Sequence, residues 1–281
     1  MSCGPGSGGA GQRLYTSSDE ARVREMLGHM DGGFSAAVAA RLALAERPGR
    51  PASPGGPPAA ASAGAAAPDV DGPRAASDLT ALAGALRDAL HGLDEARAER
   101  TLDLMLAGFG LDTILRDVVL PFLHDLGEAW ARGDVTVGQE HFATAVVAGR
   151  LHALARGWDA GVGPRAVLAC PSDERHDLGL LCFALALRDR GWRVWYLGAD
   201  TPAVAIDGVA TAVDADVIVL GAVRAEPLAG VASELAALAT DRRLCVGGRG
   251  ASPALAARLG AQALPDDPIA AADLVSAPRL T

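Results

Sequence analysis

The sequence predicts an all-helical bundle followed by a doubly wound parallel α/β domain, with a short helical piece and a linker ahead of them. Three observations predict this. Between 78 and 157, apolar residues recur three and four apart, the period of a helix face. From 164 onward, short apolar runs alternate with helical stretches, which implies right-handed βαβ units and a parallel sheet. Between 48 and 75 the chain is mostly Pro, Gly and Ala, with Val70 its one large apolar residue. Such a stretch cannot bury enough surface to offset its ordering entropy and reads as a linker. The expected divisions are 1–47, a partial helical segment; 48–77, the linker; 78–160, the bundle; and 161–281, the α/β domain.

The elements follow in order. Ser17 or Ser18 can cap a helix carrying Val23, Met26, Leu27 and Met30, which Asp31-Gly32-Gly33 ends. A second amphipathic stretch carries Phe34, Val38, Leu42 and Leu44. After the linker, Ser77 precedes Leu79, Leu82 and Leu86, and Gly92 separates this helix from one over Leu93–Ala107. A third helix runs from about Leu111 to Arg132. Its stripe of Val118, Phe122, Leu126 and Trp130, each four apart, is expected on one face. Pro121 should kink it and Gly133-Asp134 should end it. A fourth covers about Val137–Gly157, so short connections suggest an antiparallel four-helix bundle. Strands are expected at Arg165–Cys170, Arg193–Leu197, Asp216–Gly221, Arg243–Val246 and near Ala261–Leu264. The intervening helices are expected at 178–190, 202–213, 226–239 and 252–259. This is the flavodoxin-like pattern, in which ligands bind outside the carboxyl ends of the strands.

Composition narrows the function. The 281 residues suffice for two domains with a real core. All 25 basic residues are Arg, and the net charge of −9 supplies no global field for nucleic acid. Cys3, Cys170, Cys182 and Cys245 are scattered, without CxxC or zinc spacing, which fits a reducing cytosol and a cytoplasmic location. No apolar run reaches the roughly 20 residues of a membrane span, and the first residues lack the pattern of a signal peptide. No P-loop and no nucleophile–base pair stands out, so no catalytic residue is expected.

The residues that carry chemistry lie after the first strand, in Cys170-Pro171-Ser172-Asp173-Glu174-Arg175-His176-Asp177-Leu178-Gly179. His176 leaves a strand's carboxyl end just before a helix, flanked by Glu174 and Asp177. A carboxylate beside an imidazole fixes its tautomer and raises its basicity as a metal ligand. Gly179 lets the helix start approach a large ligand. On spacing alone, a solvated polar loop is the favoured account of these residues. Arg224 and Arg249, near strand ends, read as solvated.

Glu174-x-His176-x-x-Gly179 resembles the D/E-x-H-x-x-G motif of cobalamin-binding domains. The resemblance implies cobalamin as cofactor and His176 as the lower axial ligand of cobalt. Leu197-Gly198-Ala199-Asp200-Thr201-Pro202 and Gly247-Gly248 also look like that family, whose nucleotide-tail pocket they line. Gly198, Thr201, Gly221, Val223, Gly247 and Gly248 are therefore implied as cofactor-binding, with Glu174, Asp177 and Gly179. The chain departs from the family at Gly221-Ala222-Val223, where a Ser-x-Leu or Ser-x-Thr is usual, so one hydroxyl contact to the tail is missing. Trp130 followed by Glu140-His141 resembles the cap of the CarH/LitR light sensors of the MerR type. In that family these residues surround the adenosyl group on the upper face of cobalt, which implies adenosylcobalamin, a light response, transcriptional control and a homo-oligomer. The alternative for each is bland: Trp130 as bundle core, Glu140-His141 as a solvated helix start. Ala131 stands where such sensors often carry a His that captures cobalt after photolysis.

Gln12-Arg13-Leu14-Tyr15-Thr16 and the helix after it look like the late part of a MerR-type winged helix-turn-helix. The 281-residue chain is expected to bind DNA weakly or not at all unless an intact helix-turn-helix lies upstream, because no recognition helix and no basic patch precede it. Two other readings remain at this point. One is a corrinoid protein that shuttles methyl groups in a methyltransferase system. The other is a cobalamin photoreceptor without DNA binding, with or without a bilin.

Overall fold

The structure, a computed structural model, describes residues 17–31, 39, 43 and 72–277. Most of the expected linker, the MerR-like residues 12–16, and the stretch holding Phe34, Val38, Leu42 and Leu44 lie outside the described residues. Helix α1 (Ser17–Asp31) follows the expected pattern, with Val23 and Leu27 exposed.

The bundle begins at Gly72, inside the span expected as linker, with α2 (Gly72–His91). Asp94 then caps α3 (Glu95–Gly108) by accepting the Arg97 N–H. The third helix is not a plain kinked rod. It runs as α4 (Leu111–Ile114), one π-helical turn (Leu115–Val119) and α5 (Leu120–Arg132). Pro121 lies two residues past the π turn, so the widened turn absorbs the residue that cannot donate to the ladder. Gly133, at φ +80, ends α5, and a Thr136–Gln139 capping box starts α6 (Val137–Leu154).

The second half alternates strand and helix. It comprises β1 (Arg165–Pro171), α7 (Leu178–Asp189), β2 (Arg193–Thr201), α8 (Ala203–Ala212), β3 (Val217–Gly221), α9 (Ala225–Gly230), α10 (Ala232–Asp241), β4 (Leu244–Gly247), α11 (Pro253–Arg258), β5 (Gln262–Ala263) and α12 (Pro268–Ser276). All pairings are parallel, in the order β2-β1-β3-β4-β5. This is the expected flavodoxin-like order. Three details differ from the sequence reading. The crossover over 226–239 breaks at Val231 into two helices. Strand β2 continues through Gly198–Thr201 by way of two register shifts against β1. Helix α12 was not expected. Its Asp267-Pro268 cap is visible in the sequence, but its Ala-rich body shows little periodicity and is ordered by packing on α7.

The two faces of the sheet build two cores. Ala166, Leu168, Cys170, Val217, Val219 and Cys245 face α7, α12 and the bundle. Val167, Ala169, Ile218, Leu220, Leu244 and Val246 face α8 to α11. The first core runs unbroken into the bundle, so the bundle packs on the sheet domain through α7. That is why α7 is buried at every position from Leu180 to Leu187. Among the described residues no helix is long and apolar enough to cross a membrane.

Candidate functional site

Strand order reverses between β1 and β3, which opens a crevice at the carboxyl end of the sheet. Two loops meet there: 172–177 after β1 and 222–224 after β3. The glutamate of the first loop joins them. Glu174 is fully buried, and both its oxygens are used. Oε1 accepts the His176 backbone N–H at 3.0 Å and faces His176 Nδ1 at 2.7 Å. Oε2 accepts the backbone N–H groups of Val223 at 2.8 Å and Arg224 at 3.1 Å. Burial alone would raise the Glu174 pKa, but the hydrogen bonds from His176, Arg224 and Val223 outweigh it and hold the carboxyl down at about 2. It is a permanent anion at neutral pH.

The His176 side chain is 62% exposed. Its Nδ1 is committed to Glu174, so Nε2 is the nitrogen left to meet a ligand at the mouth of the crevice. Asp177 does not join this pair. Its carboxylate accepts the Tyr196 hydroxyl at 3.0 Å. Burial first, and then Asp177, push the Tyr196 pKa far up, so the phenol stays a donor. Gly179 opens α7, and a Cβ there would meet nothing within 4 Å. Thr201 turns its hydroxyl back on the carbonyls of Gly198 and Ala199. Gly198 sits at φ +79 in the bulged part of β2.

The other glycines have partners within the chain. A Cβ on Gly221 would lie 3.2 Å from the Leu180 side chain, and one on Gly248 would lie 2.5 Å from the Ala222 carbonyl oxygen. Gly248, at φ +88, is therefore required by the close approach of the β4 loop to the β3 loop. Gly247 faces Leu264 in the same way, at 3.4 Å. Val223 spends its amide on Glu174.

The bundle carries the remaining expected residues. Val118, Phe122 and Leu126 are buried, but Trp130 is 51% exposed. The stripe therefore does not close on the indole, which corrects the one-face expectation. Steps of four residues advance about 40° past each full turn, so Trp130 lies about 120° around from Val118. Glu140 accepts the Thr144 hydroxyl at 2.9 Å and lies 3.5 Å from His141, whose side chain is 74% exposed.

These three residues sit near the α5–α6 connection, where Gln139 Nε2 donates to the His91 carbonyl of α2 at 3.1 Å. The opposite ends of their helices are tied down. Asp112, at the start of α4, pairs with Arg190 at 2.9 Å. The Leu154 carbonyl, at the end of α6, accepts from Arg188 at 3.0 Å. At about 1.5 Å per residue, Trp130 stands about 27 Å along its helix from the first anchor, and Glu140 about 21 Å from the second.

Three residues that hold the His176 loop were not given that role from sequence: Tyr196, Asp200 and Arg224. Arg224 is not merely solvated, because its Nη2 donates to the Asp173 carbonyl at 2.6 Å. Asp200 accepts the Asp173 N–H at 2.8 Å. Their positions next to strand ends were the available signal; their partners are set by the sheet order. The buried cysteines Cys170 and Cys182 have thiols pushed up to about 12, mainly by burial, and are structural.

The chain has recognisable relatives among known proteins. Residues 82–155, within the bundle, match the B12 binding domain family. The chain is 37% identical over 176 residues to the HTH-type transcriptional repressor CarA of Myxococcus xanthus, an alignment covering 60% of this chain and 56% of that one. It is 32% identical over 198 residues to the repressor CarH of the same organism, covering 69% and 61%. The expected resemblance to CarH-type regulators therefore holds, although the alignments span little more than half the length of either relative. In fold, the chain is similar to the monomethylamine corrinoid protein of Methanosarcina barkeri, with a TM-score of 0.57 and 17% identity over 68% of this chain and 95% of that one.

Proposed function

We propose that this protein binds cobalamin, in its adenosyl form, and serves as a light-responsive sensor in transcriptional control. The observation that carries the reading is the Glu174–His176 pair: an exposed imidazole whose orientation is set by a buried carboxylate, at the switch point of a flavodoxin-like sheet. A bare metal ion takes several protein ligands. Among the described residues no group of three or more His, Cys, Asp or Glu could hold one. A corrinoid brings four ring nitrogens of its own, so a single well-aimed imidazole would suffice as the protein's ligand to it. The donor set fits that cofactor.

When bound, adenosylcobalamin supplies a cobalt–carbon bond that light can break. The chain's residues then divide the work. His176 Nε2 would ligate the cobalt, with Glu174 fixing the ring and its tautomer. The open start of α7 at Gly179 admits the corrin. Gly198, Thr201, Gly221, Val223, Gly247 and Gly248, with Asp177, line the crevice toward the nucleotide tail. Trp130, Glu140 and His141 would hold the adenosyl group, Trp130 as apolar cover and Glu140 as a hydrogen-bond acceptor. The bundle, which carries Trp130, Glu140 and His141, is the element whose packing or self-association would read out a change in the cofactor. A likeness in overall shape to a corrinoid protein speaks of the fold alone. The two repressors support regulation over an enzymatic shuttle.

The test is reconstitution of the full chain with adenosylcobalamin, with absorption spectra before and after green light. The expected result is tight retention, a histidine-ligated spectrum and a light-induced change. His176→Ala should shift the spectrum towards a base-off or water-ligated form and weaken retention. With Ala131 beside Trp130, the illuminated form should exchange readily with imidazole or cyanide. Failure of the parent to retain any corrinoid, or an unchanged spectrum in His176→Ala, would overturn the reading.

A further inference from the structure

We infer that Asp200 and Arg224 are positioning residues that hold the β1–α7 loop in the one conformation that aims His176. The inference rests on the cobalamin reading and adds residues to it. It starts from the backbone of Asp173 and Glu174. The chain leaves β1 in a tight turn, closed by the Glu174 N–H on the Pro171 carbonyl at 3.0 Å. That turn puts Asp173 at φ +69, a left-handed conformation that a non-glycine residue keeps only when its surroundings enforce it.

The surroundings do so from two sides. The Asp173 N–H donates to Asp200 Oδ1 at 2.8 Å, and the Asp173 carbonyl accepts from Arg224 Nη2 at 2.6 Å. The Glu174 carbonyl accepts the Asp200 N–H at 2.9 Å. With the turn-closing bond, all four backbone polar groups of Asp173 and Glu174 are taken, three of them by Asp200 and Arg224. Asp200 reaches them through a bulge. Between the pairs Ala169–Gly198 and Pro171–Thr201, β2 carries one residue more than β1. Asp200 sits in that insertion, itself left-handed at φ +50.

The clamp acts on His176 through Glu174. The Glu174 backbone is fixed by Asp200, and its carboxylate is fixed by the amides of Val223 and Arg224. Its remaining oxygen sets the imidazole. Arg224 thus serves twice, by its amide on the carboxylate and by its guanidinium on the Asp173 carbonyl. Supporting groups of this kind typically shift metal affinity by roughly 10- to 100-fold when removed.

The experiment compares the full chain with Asp200→Ala, Asp200→Asn and Arg224→Ala, each with adenosylcobalamin in the dark. Three quantities are read: the histidine-ligated fraction from the absorption spectrum, the cofactor dissociation rate, and the melting temperature without cofactor. A fourth, taken in the cofactor-free protein, is the nitrogen NMR signal of His176 Nδ1, which reports its bond to Glu174. Both alanine variants should lose histidine ligation in part, release cofactor about 10-fold faster and broaden the Nδ1 signal. Their cofactor-free melting should stay close to the parent's. Asp200→Asn keeps an Oδ1 acceptor and tolerates the left-handed backbone, so it should restore the parental spectrum. The proposal is overturned if the alanine variants keep the parental spectrum and rate. It is equally overturned if they merely melt earlier and bind less while the bound fraction stays histidine-ligated. If the parent retains cofactor with no sign of histidine ligation, the cobalamin assignment of His176 fails first. The Nδ1 signal then still decides whether the clamp orients the ring.

Discussion

His176 and Trp130 both project into solvent, but they are held in opposite ways. His176 hangs from a buried carboxylate that two loops grip, and every backbone polar group of Asp173 and Glu174 is bonded. Trp130 lies on the last turn of α5, ahead of the glycine that ends the helix, with its buried neighbours Phe122 and Leu126 on the turns below. One residue is prepared before any ligand arrives. The other is half exposed on the helix surface. On the function proposed above, this asymmetry would let the His176 side retain a cofactor while the Trp130 side responds to a change in it.

The comparison can be broken or sharpened by substitution. The largest expected effect is in the bundle core. Phe122→Ala should cost about 3–5 kcal/mol in denaturant unfolding, because Phe122 is buried where the π turn meets α5. If that loss also removes histidine ligation from any remaining folded protein, the two sides are less separate than argued.

Next comes Glu174→Gln. An amide cannot accept from both His176 and the Val223–Arg224 pair without turning its own N–H groups on a donor. A loss of about 2–3 kcal/mol is expected, with a weakened histidine signature. The same residue sets a pH dependence. Its folded-state pKa of about 2 lies below the ordinary 4.5, so its contribution is present above pH 4.5. That contribution is lost as pH falls from 4.5 toward 2, and the acid limb of the stability curve should be shallower in Glu174→Gln.

Arg190→Ala tests the tied end. Arg190 is mostly buried and pairs with Asp112 of the bundle and Asp273 of α12. Both carboxylates keep access to water, so the loss should be about 1 kcal/mol, seen as faster amide exchange over Leu111–Ile114 and α12. Unchanged exchange there would show that the Arg190 ion pairs are dispensable for seating the bundle.

The smallest stability effect belongs to Trp130→Ala, within about 0.5 kcal/mol because the indole is half exposed. Its effect on ligand choice should be far larger. Total corrin binding should persist, while preference for adenosylcobalamin over cobalamins with small upper ligands should fall. Equal preference in parent and variant would return Trp130 to the status of an ordinary surface residue.

Local information in the sequence determined the alternation of strands and helices, the bundle ahead of them, and the Glu174-x-His176 spacing. Each depends on residues within one turn or one strand of each other, where periodicity and capping chemistry act directly. The sheet's flavodoxin-like order followed because short right-handed crossovers leave few alternatives. Tertiary structure alone decided the partners. Glu174 meets amides 49 and 50 residues away because the sheet sets β1 beside β3. Asp200 meets Asp173 because β2 holds one residue more than β1 between two pairings. Trp130 is exposed because a four-residue spacing drifts around a helix of 3.6 residues per turn, so an apolar stripe written in the sequence turns away from the core as it lengthens.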